Sequence, residues 1–220
     1  MEEAKGILLL GAGGHCLSVL DSLLSSYHYN KVGIVDRKDK RDFISQGQEN
    51  VILRQPIVGS DEDLEHLFLE GYQYAFVTVG SIGNVTLRES LYRRLKEIGF
   101  IIPNIIDKTS IISDNVELGE GIFIAKNSVI NAGTCIGNLA IINTSSTIEH
   151  ECYIEDLVHI APGCVLCGNV KVHNKTHIGA GSVVKQGVSI GSNTMIGMGS
   201  IVLSDINSNT KAYGNPCREV

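Results

Sequence analysis

Residues 142–178 read INTSSTIEHECYIEDLVHIAPGCVLCGNVKVHNKTHI, and every sixth residue of this stretch, starting with the first, is aliphatic. This six-residue period continues without an insertion from Ile106 to Val202, and every sixth residue counted in this phase is Ile, Leu or Val. A second column, two residues earlier, is mostly small and includes Ser146 and Cys164. A period of six fits no amphipathic helix, but it accommodates a short strand of alternating side chains followed by a turn.

This rhythm predicts a left-handed parallel β-helix of hexapeptide repeats over residues 105–220. Three such strands make one triangular coil of about 18 residues, and successive coils stack about 4.8 Å apart, like neighbouring strands of a sheet. The aliphatic column fills the prism, and the small column leaves room beside it. We expect about five coils between Ile106 and Val202.

The first half of the chain has a different pattern, which predicts a small α/β domain. A short apolar strand at residues 7–10 is followed by the turn Gly11-Ala12-Gly13-Gly14 and by Leu17, Leu20 and Leu24 at helical spacing. Further strands are expected at 31–35 and 74–79, and further helices at 61–70 and 85–99. Strand, glycine turn, helix and strand form a βαβ unit, so we interpret residues 1–104 as a Rossmann-like domain.

Composition excludes several classes of protein. The net charge of −6 provides no basic field for nucleic acid or for an anionic membrane surface, and the apolar runs are too short to span a bilayer. The first residues, MEEAKGILLLGAGG, contain no secretory h-region, and six cysteines in such a context indicate reduced thiols. We therefore expect a cytoplasmic protein.

The glycine turn is the first candidate site. Its glycines permit a tight turn, and the following helix N-terminus offers free N–H groups to a phosphate. Cys16 stands where a dinucleotide fingerprint has its third glycine, which disfavours a nicotinamide cofactor and an oxidoreductase. A nucleotide or nucleotide-sugar pyrophosphate is favoured over a purely structural turn, with Asp36 placed to reach a ribose.

Cysteines and histidines in the repeat can be sorted by its phase. Cys164 and Cys167 form a CxxC pair, but Cys164 falls in the inward column, so a metal site is not expected. His150 falls at a turn between Glu149 and Glu151, where a carboxylate can fix its tautomer, which makes it a candidate general base. His159 and His177 point outward and stack one coil apart. Ordinary solvated surface is the alternative for each of them.

Three motifs carry a resemblance to a known family. GAGGH at 11–15, NTSSTIEHE at 143–151 and YGNPCR at 213–218 resemble the nucleotide-amino-sugar branch of the hexapeptide-repeat acyltransferases. That branch contains PglD-like N-acetyltransferases and NeuD-like sialic-acid O-acetyltransferases. The resemblance covers nearly the whole chain.

The resemblance implies roles for particular residues. His150 matches the catalytic base and Glu151 the carboxylate that raises its basicity, whereas His159 matches a histidine near the thioester of acetyl-CoA. Gly168, Ala180 and Met198 fall along the acetyl-CoA site. The nucleotide-sugar end is matched by Gly13, Gly14, His15, Asp36 and Gly80. The family also implies a homotrimer with active sites between subunits and no metal.

The expected function is therefore acetyl-CoA-dependent N-acetylation of a UDP-linked 4-amino-4,6-dideoxy sugar, by direct transfer, in bacterial glycan or glycoprotein sugar biosynthesis. Two alternatives stay open. One is O-acetylation of a sialic-acid-like sugar, which the same base would serve, and the other is a non-catalytic β-helix scaffold.

Overall fold

The computed structural model describes residues 6–37 and 55–220, and residues 1–5 and 38–54 of the predicted first domain lie outside the described part. The chain forms two compact units. The first comprises Met1–Gly80 and Thr86–Pro103, and the second comprises Ser81–Val85 and Asn104–Val220. The short segment Ser81–Val85 thus belongs with the second unit, although it lies within the sequence of the first.

The first unit is a parallel sheet with helices. Its elements in chain order are β1 (Gly6–Leu10), α1 (Gly14–Ser26), β2 (Lys31–Val35), β3 (Ile57–Gly59), a 3₁₀ turn (Asp61–Asp63), α2 (Leu64–Leu69), β4 (Tyr72–Val77) and α3 (Thr86–Ile98). All four strands are parallel in the order β3-β2-β1-β4. β1 is buried along its whole length because it occupies an interior position in the sheet.

The helix predicted after the glycine turn is α1, which buries Val19, Leu20 and Leu23, whereas Leu17 and Leu24 are 37% and 45% exposed. One expectation for this unit needs correction. The single helix expected at 61–70 is divided into a 3₁₀ turn and the short α2. Asp63 accepts hydrogen bonds from the Ser60 N–H at 2.7 Å and the Ser60 hydroxyl at 2.9 Å, which form a capping box at the start of the 3₁₀ turn.

The second unit is the predicted left-handed β-helix, built from two-residue strands that form three parallel sheets. Sheet 1 contains Ile105–Ile106, Phe123–Ile124, Ile141–Ile142, His159–Ile160, His177–Ile178 and Met195–Ile196, with Lys211–Gly214 and the antiparallel Cys217–Glu219 at its end. Sheet 2 contains Ile111–Ile112, Val129–Ile130, Thr147–Ile148, Val165–Leu166, Val183–Val184 and Ile201–Val202. Sheet 3 contains Glu117–Leu118, Cys135–Ile136, Tyr153–Ile154, Lys171–Val172 and Ser189–Ile190.

Three edges join these sheets, and each is a column of turns. The first edge leads from sheet 1 to sheet 2, the second from sheet 2 to sheet 3, and the third from sheet 3 to sheet 1. Many turns place their third residue in the left-handed region, such as Ser145 (φ 56°), Glu151 (φ 58°) and Leu157 (φ 59°). Their backbone N–H groups bond the preceding coil, as in Glu151 N to Ala132 O at 2.9 Å. Each edge residue is therefore held against its counterparts one coil above and below.

The aliphatic column fills the prism as predicted, and Ile148, Ile160 and Val172 are fully buried. The column of small residues also contributes hydrogen bonds between coils. Its buried hydroxyls donate to carbonyl oxygens of the next coil, as in Ser146 Oγ to Ala161 O at 3.0 Å. Burial of an unpaired hydroxyl is costly, so these hydrogen bonds are what make serine and threonine acceptable inside the prism. Across the described residues, no helix is both long enough and apolar enough to cross a bilayer.

Candidate active site

His150 and Glu151 form a hydrogen-bonded pair on the second edge, in the turn that follows Thr147–Ile148. His150 Nδ1 and Glu151 Oε2 are 3.1 Å apart, and their side chains are 50% and 72% exposed. The backbone holds both residues in place, because Glu151 N–H donates to Ala132 O and His150 O accepts from Asn169 N–H. A carboxylate at Nδ1 favours the tautomer with its proton there, which leaves Nε2 as a proton acceptor on a half-exposed side chain.

Gly168 lies directly against the His150 ring. It is buried one coil further along the same edge, and a Cβ built on it would stand 2.5 Å from both Nε2 and Cε1 of His150. Only glycine leaves the imidazole in its present position. The Gly168 N–H donates no hydrogen bond within the described residues.

His159 stands in a buried cluster on sheet 1. Its side chain is 8% exposed, with Nε2 3.4 Å from Asn143 Nδ2 and Nδ1 3.5 Å from the carbonyl oxygen of Ser81. The ring packs edge-to-face on His177 at a centroid distance of 4.7 Å, so the expected stacking is present. Burial lowers the pKa of His177 below its usual 6.5.

Ala180 and Met198 lie on the first edge, in successive coils of the same column. Ala180 O accepts from Gly199 N–H at 2.8 Å, and the Met198 side chain is 81% exposed. Within one chain this edge is separated from His150 and Gly168 by the whole width of sheet 2. The structure therefore places the six predicted site residues of the β-helix on two different edges and on sheet 1, and does not bring them together in a single copy.

The predicted nucleotide-sugar residues lie at the carboxyl ends of parallel strands in the first unit, where α/β proteins bind ligands. Gly13 caps α1 without a side-chain hydrogen bond, and a Cβ at Gly13 or Gly14 would meet nothing within 4 Å. The open helix N-terminus therefore fits a phosphate. Gly80 also belongs here, because a Cβ on it would lie 3.9 Å from the His15 Cβ.

Asp36 has a structural contact that the sequence did not indicate. Its carboxylate is buried and accepts hydrogen bonds from the backbone N–H groups of Ala12 at 3.1 Å and Arg37 at 2.8 Å. It therefore braces the glycine turn from the end of β2. Thr78 supports the same turn by donating to Gly11 O at 2.7 Å.

Asn143 and Ser81 are contacts of the predicted site that sequence reasoning missed. Asn143 opens the NTSSTIEHE string, and its proximity to His159 follows from the coil repeat. Ser81 gave no signal, because its contact with His159 spans 78 residues. The Cys164 thiol is fully buried and points to Gly179 O at 3.1 Å, and burial raises its pKa. Within the described residues, no group of three or more His, Cys, Asp or Glu could hold a metal ion.

Comparison with known proteins connects both units to one family. Residues 6–95 match the family described as PglD N-terminal domain, and residues 169–204 match bacterial transferase hexapeptide (six repeats). A histidine-to-asparagine mutant of perosamine N-acetyltransferase from Caulobacter crescentus, in complex with CoA and GDP-perosamine, is 33% identical with a TM-score of 0.87. That match covers 98% of this chain and 96% of the other.

Two further structures are similar over nearly their whole length. The acetyltransferase domain of PglB from Neisseria gonorrhoeae FA1090, in complex with acetyl coenzyme A, is 25% identical with a TM-score of 0.88, covering 98% of this chain and 99% of that one. WeeI from Acinetobacter baumannii AYE is 25% identical with a TM-score of 0.80, covering 97% and 99%.

Proposed function

Because this chain belongs to the PglD-like family of hexapeptide-repeat sugar acetyltransferases, we propose that it transfers the acetyl group of acetyl-CoA directly to the amine of a nucleotide-linked amino sugar. The observation that carries this proposal is the His150–Glu151 pair, in which the carboxylate holds Nδ1 and Gly168 lies against the ring. We take the acceptor to be a UDP-linked 4-amino-4,6-dideoxy sugar used in bacterial glycan or glycoprotein assembly.

The catalytic step needs one base and one oxyanion donor. Neutral His150 accepts a proton from the sugar amine as the amine attacks the thioester carbonyl carbon, and Glu151 stabilises the resulting imidazolium. The oxyanion needs a hydrogen-bond donor beside the base, and the Gly168 N–H is our candidate because it lies beside the His150 ring and donates to no group among the described residues. The C–S bond then breaks, and the departing thiolate takes the proton from the His150 imidazolium and leaves as the CoA thiol. No serine or cysteine nucleophile is required.

The first edge is the proposed binding site for the pantetheine arm of acetyl-CoA. Exposed Ala180 and Met198 lie one coil apart in a column parallel to the helix axis, which suits an extended pantetheine arm. His159 stays a predicted contact near the thioester, held by Asn143 and Ser81. The sugar nucleotide would bind at the glycine turn, where the N-terminus of α1 receives its pyrophosphate.

A second copy of the chain would complete this site. One chain carries the base on the second edge and the proposed acetyl-CoA column on the first, so one ligand reaches both only if a neighbour contributes one of them. Cyclic symmetry would place the first edge of each copy beside the second edge of the next. We therefore propose a homotrimer with its active sites between subunits. We also propose that the enzyme acts in the cytoplasm.

A GDP-linked amino sugar is the second candidate acceptor. The specific observation in its favour is that the neighbour with GDP-perosamine is 33% identical to this chain, compared with 25% for the PglB domain. O-acetylation of a sialic-acid-like sugar and a purely structural role remain the two other outcomes of the experiment.

The test is release of free thiol from acetyl-CoA in the presence of UDP-linked amino sugars, GDP-linked amino sugars or sialic-acid-type acceptors. His150→Ala is expected to lower the rate about 10²–10⁴-fold, as for the loss of a general base. His66→Ala removes a histidine whose side chain is 74% exposed on α2, and it serves as the matched control with wild-type activity. Turnover only with a hydroxyl acceptor would establish O-acetylation, and absence of both turnover and acetyl-CoA binding would leave the scaffold role.

A further inference from the structure

A second constellation of reactive side chains lies on the third edge and on the adjoining strand of sheet 3, away from both edges assigned to the acetyltransferase site. His173 Nδ1 is 2.9 Å from Glu155 Oε1, and His173 Nε2 is 3.2 Å from the Ser189 hydroxyl oxygen. The three residues come from three successive coils, with separations of 18 and 16 residues along the chain. Carboxylate, imidazole and hydroxyl are therefore joined in series, which is the arrangement of an activated serine nucleophile.

Backbone hydrogen bonds fix both ends of this series. The second carboxylate oxygen of Glu155 accepts from the Asn174 N–H at 2.8 Å, so the carboxylate is held in the orientation that reaches His173. At the other end, the Ser189 N–H donates to Asp205 Oδ1 at 2.8 Å. The Glu155 and His173 side chains are 21% and 35% exposed, which leaves the hydroxyl end within reach of a small molecule.

We propose that Glu155, His173 and Ser189 form a second catalytic site that hydrolyses small, uncharged carboxylic esters. Ser189 Oγ attacks the ester carbonyl carbon and forms a C–O bond, and His173 Nε2 takes the hydroxyl proton. The bond to the alcohol oxygen then breaks, and His173 returns the proton to the departing alkoxide. Water next attacks the acyl-Ser189 ester, releases the carboxylic acid and restores the serine. Glu155 holds the imidazole and stabilises its charged form during both acylation and hydrolysis of the acyl-serine ester.

The surroundings determine which acyl compound fits. A groove of about 510 Å³ on sheet 3 is lined by Glu155, at the carboxylate end of the triad, together with Asn174 and the carboxylates of Glu117 and Asp156. These acidic groups disfavour polyanionic ligands such as CoA or sugar nucleotides, and favour a neutral ester. Lys171 is the register partner of Ser189 on the neighbouring strand, so it is the candidate cation for the oxyanion in this proposal.

The test uses the full chain with 4-nitrophenyl acetate as a neutral probe and a fluorophosphonate as a serine-directed label. Ser189→Ala and His173→Ala are each expected to lower kcat/KM for the ester about 10²-fold or more. His66→Ala removes an exposed histidine outside both proposed sites, and it is expected to leave ester hydrolysis unchanged. Mass spectrometry should find the fluorophosphonate on the peptide that contains Ser189, and this label should disappear in His173→Ala.

Two controls make the outcome decisive. Ser204→Ala replaces an exposed serine outside the triad, and it should keep both the hydrolysis rate and the labelling of Ser189. Circular dichroism and thermal melting verify that each variant is folded. If Ser189→Ala hydrolyses the ester at the wild-type rate, or if Ser189 takes no label, the three residues are only a structural hydrogen-bond network. If His173→Ala loses the hydrolysis rate while Ser189→Ala keeps it, the imidazole itself is the nucleophile. That result also overturns the serine mechanism.

Discussion

Replacing Gly168 with alanine tests the geometry of the proposed base most directly. The added Cβ would stand 2.5 Å from Nε2 and Cε1 of His150, whereas unstrained non-bonded carbon contacts are about 3.5–4.0 Å. The ring must therefore move by about 1 Å or more. It is free to do so, because the His150 side chain is 50% exposed and can turn towards solvent without disturbing the aliphatic column.

The expected magnitude follows from this displacement. A misplacement of about 1 Å at a reacting group costs about 10² in rate, and complete loss of a general base costs about 10²–10⁴. We expect kcat to fall about 10²-fold, which is a barrier increase of about 2.7 kcal/mol. The free energy of unfolding should change by less than about 1 kcal/mol, since the clash is relieved by a mobile side chain.

The assay is thiol release from acetyl-CoA with the best acceptor, together with urea unfolding. Gly187→Ala is the matched control on the same edge: its φ is +75° and a Cβ there would meet nothing within 4 Å. That control should lose about 1 kcal/mol of stability from left-handed strain and keep its kcat. If Gly168→Ala retained wild-type kcat, the position of the His150 ring would not matter to catalysis, and the proposed role of His150 would be refuted.

Two further predictions concern stability. Because burial lowers the pKa of His177 from 6.5, the unfolded chain binds more protons than the folded chain below that pH, so stability is lost as the pH falls from about 6.5 towards the lower folded pKa. We therefore expect the free energy of unfolding in urea to fall less between about pH 7.5 and about pH 5.5 for His177→Gln than for the wild type. Equal falls in the two proteins would show that His177 does not cause this pH dependence. Ile160→Ala in the aliphatic column should cost about 2–5 kcal/mol, because Ile160 is fully buried, whereas Val165→Ala on the outward face of sheet 2 should cost less. Equal costs for the two variants in urea unfolding would show that the column does not carry the stability of the prism.

The two halves of the chain differ in how much of their fold the sequence reveals. In the β-helix, each residue is placed by its phase, so the buried state of Ile160 and Cys164 could be predicted from position alone. In the first unit, no such repeat exists. β3 is only three residues long and gave no signal, and the buried face of α1 depended on packing that the leucine spacing did not specify.

Burial of outward-facing residues marks another limit of sequence reasoning. The phase correctly places His159 and His177 outside the prism, in stacked register. It does not indicate that both are almost fully buried, nor that Ser81 lies beside His159. That contact depends on a segment from a distant part of the chain, and a local repeat carries no information about such a segment.

The coil repeat also explains why reactive residues of this protein lie beside residues that complement them chemically. On an edge, residue i lies against residue i + 18 of the next coil, as seen for Glu155 and His173. The pairing of His150 with Gly168 follows the same rule and could be predicted from the sequence once the phase is known. Substitutions on an edge leave the aliphatic column untouched, so the three edges of one prism can carry different chemistry. The acetyltransferase variants on the second edge and the ester-hydrolysis variants on the third should therefore affect their two activities independently.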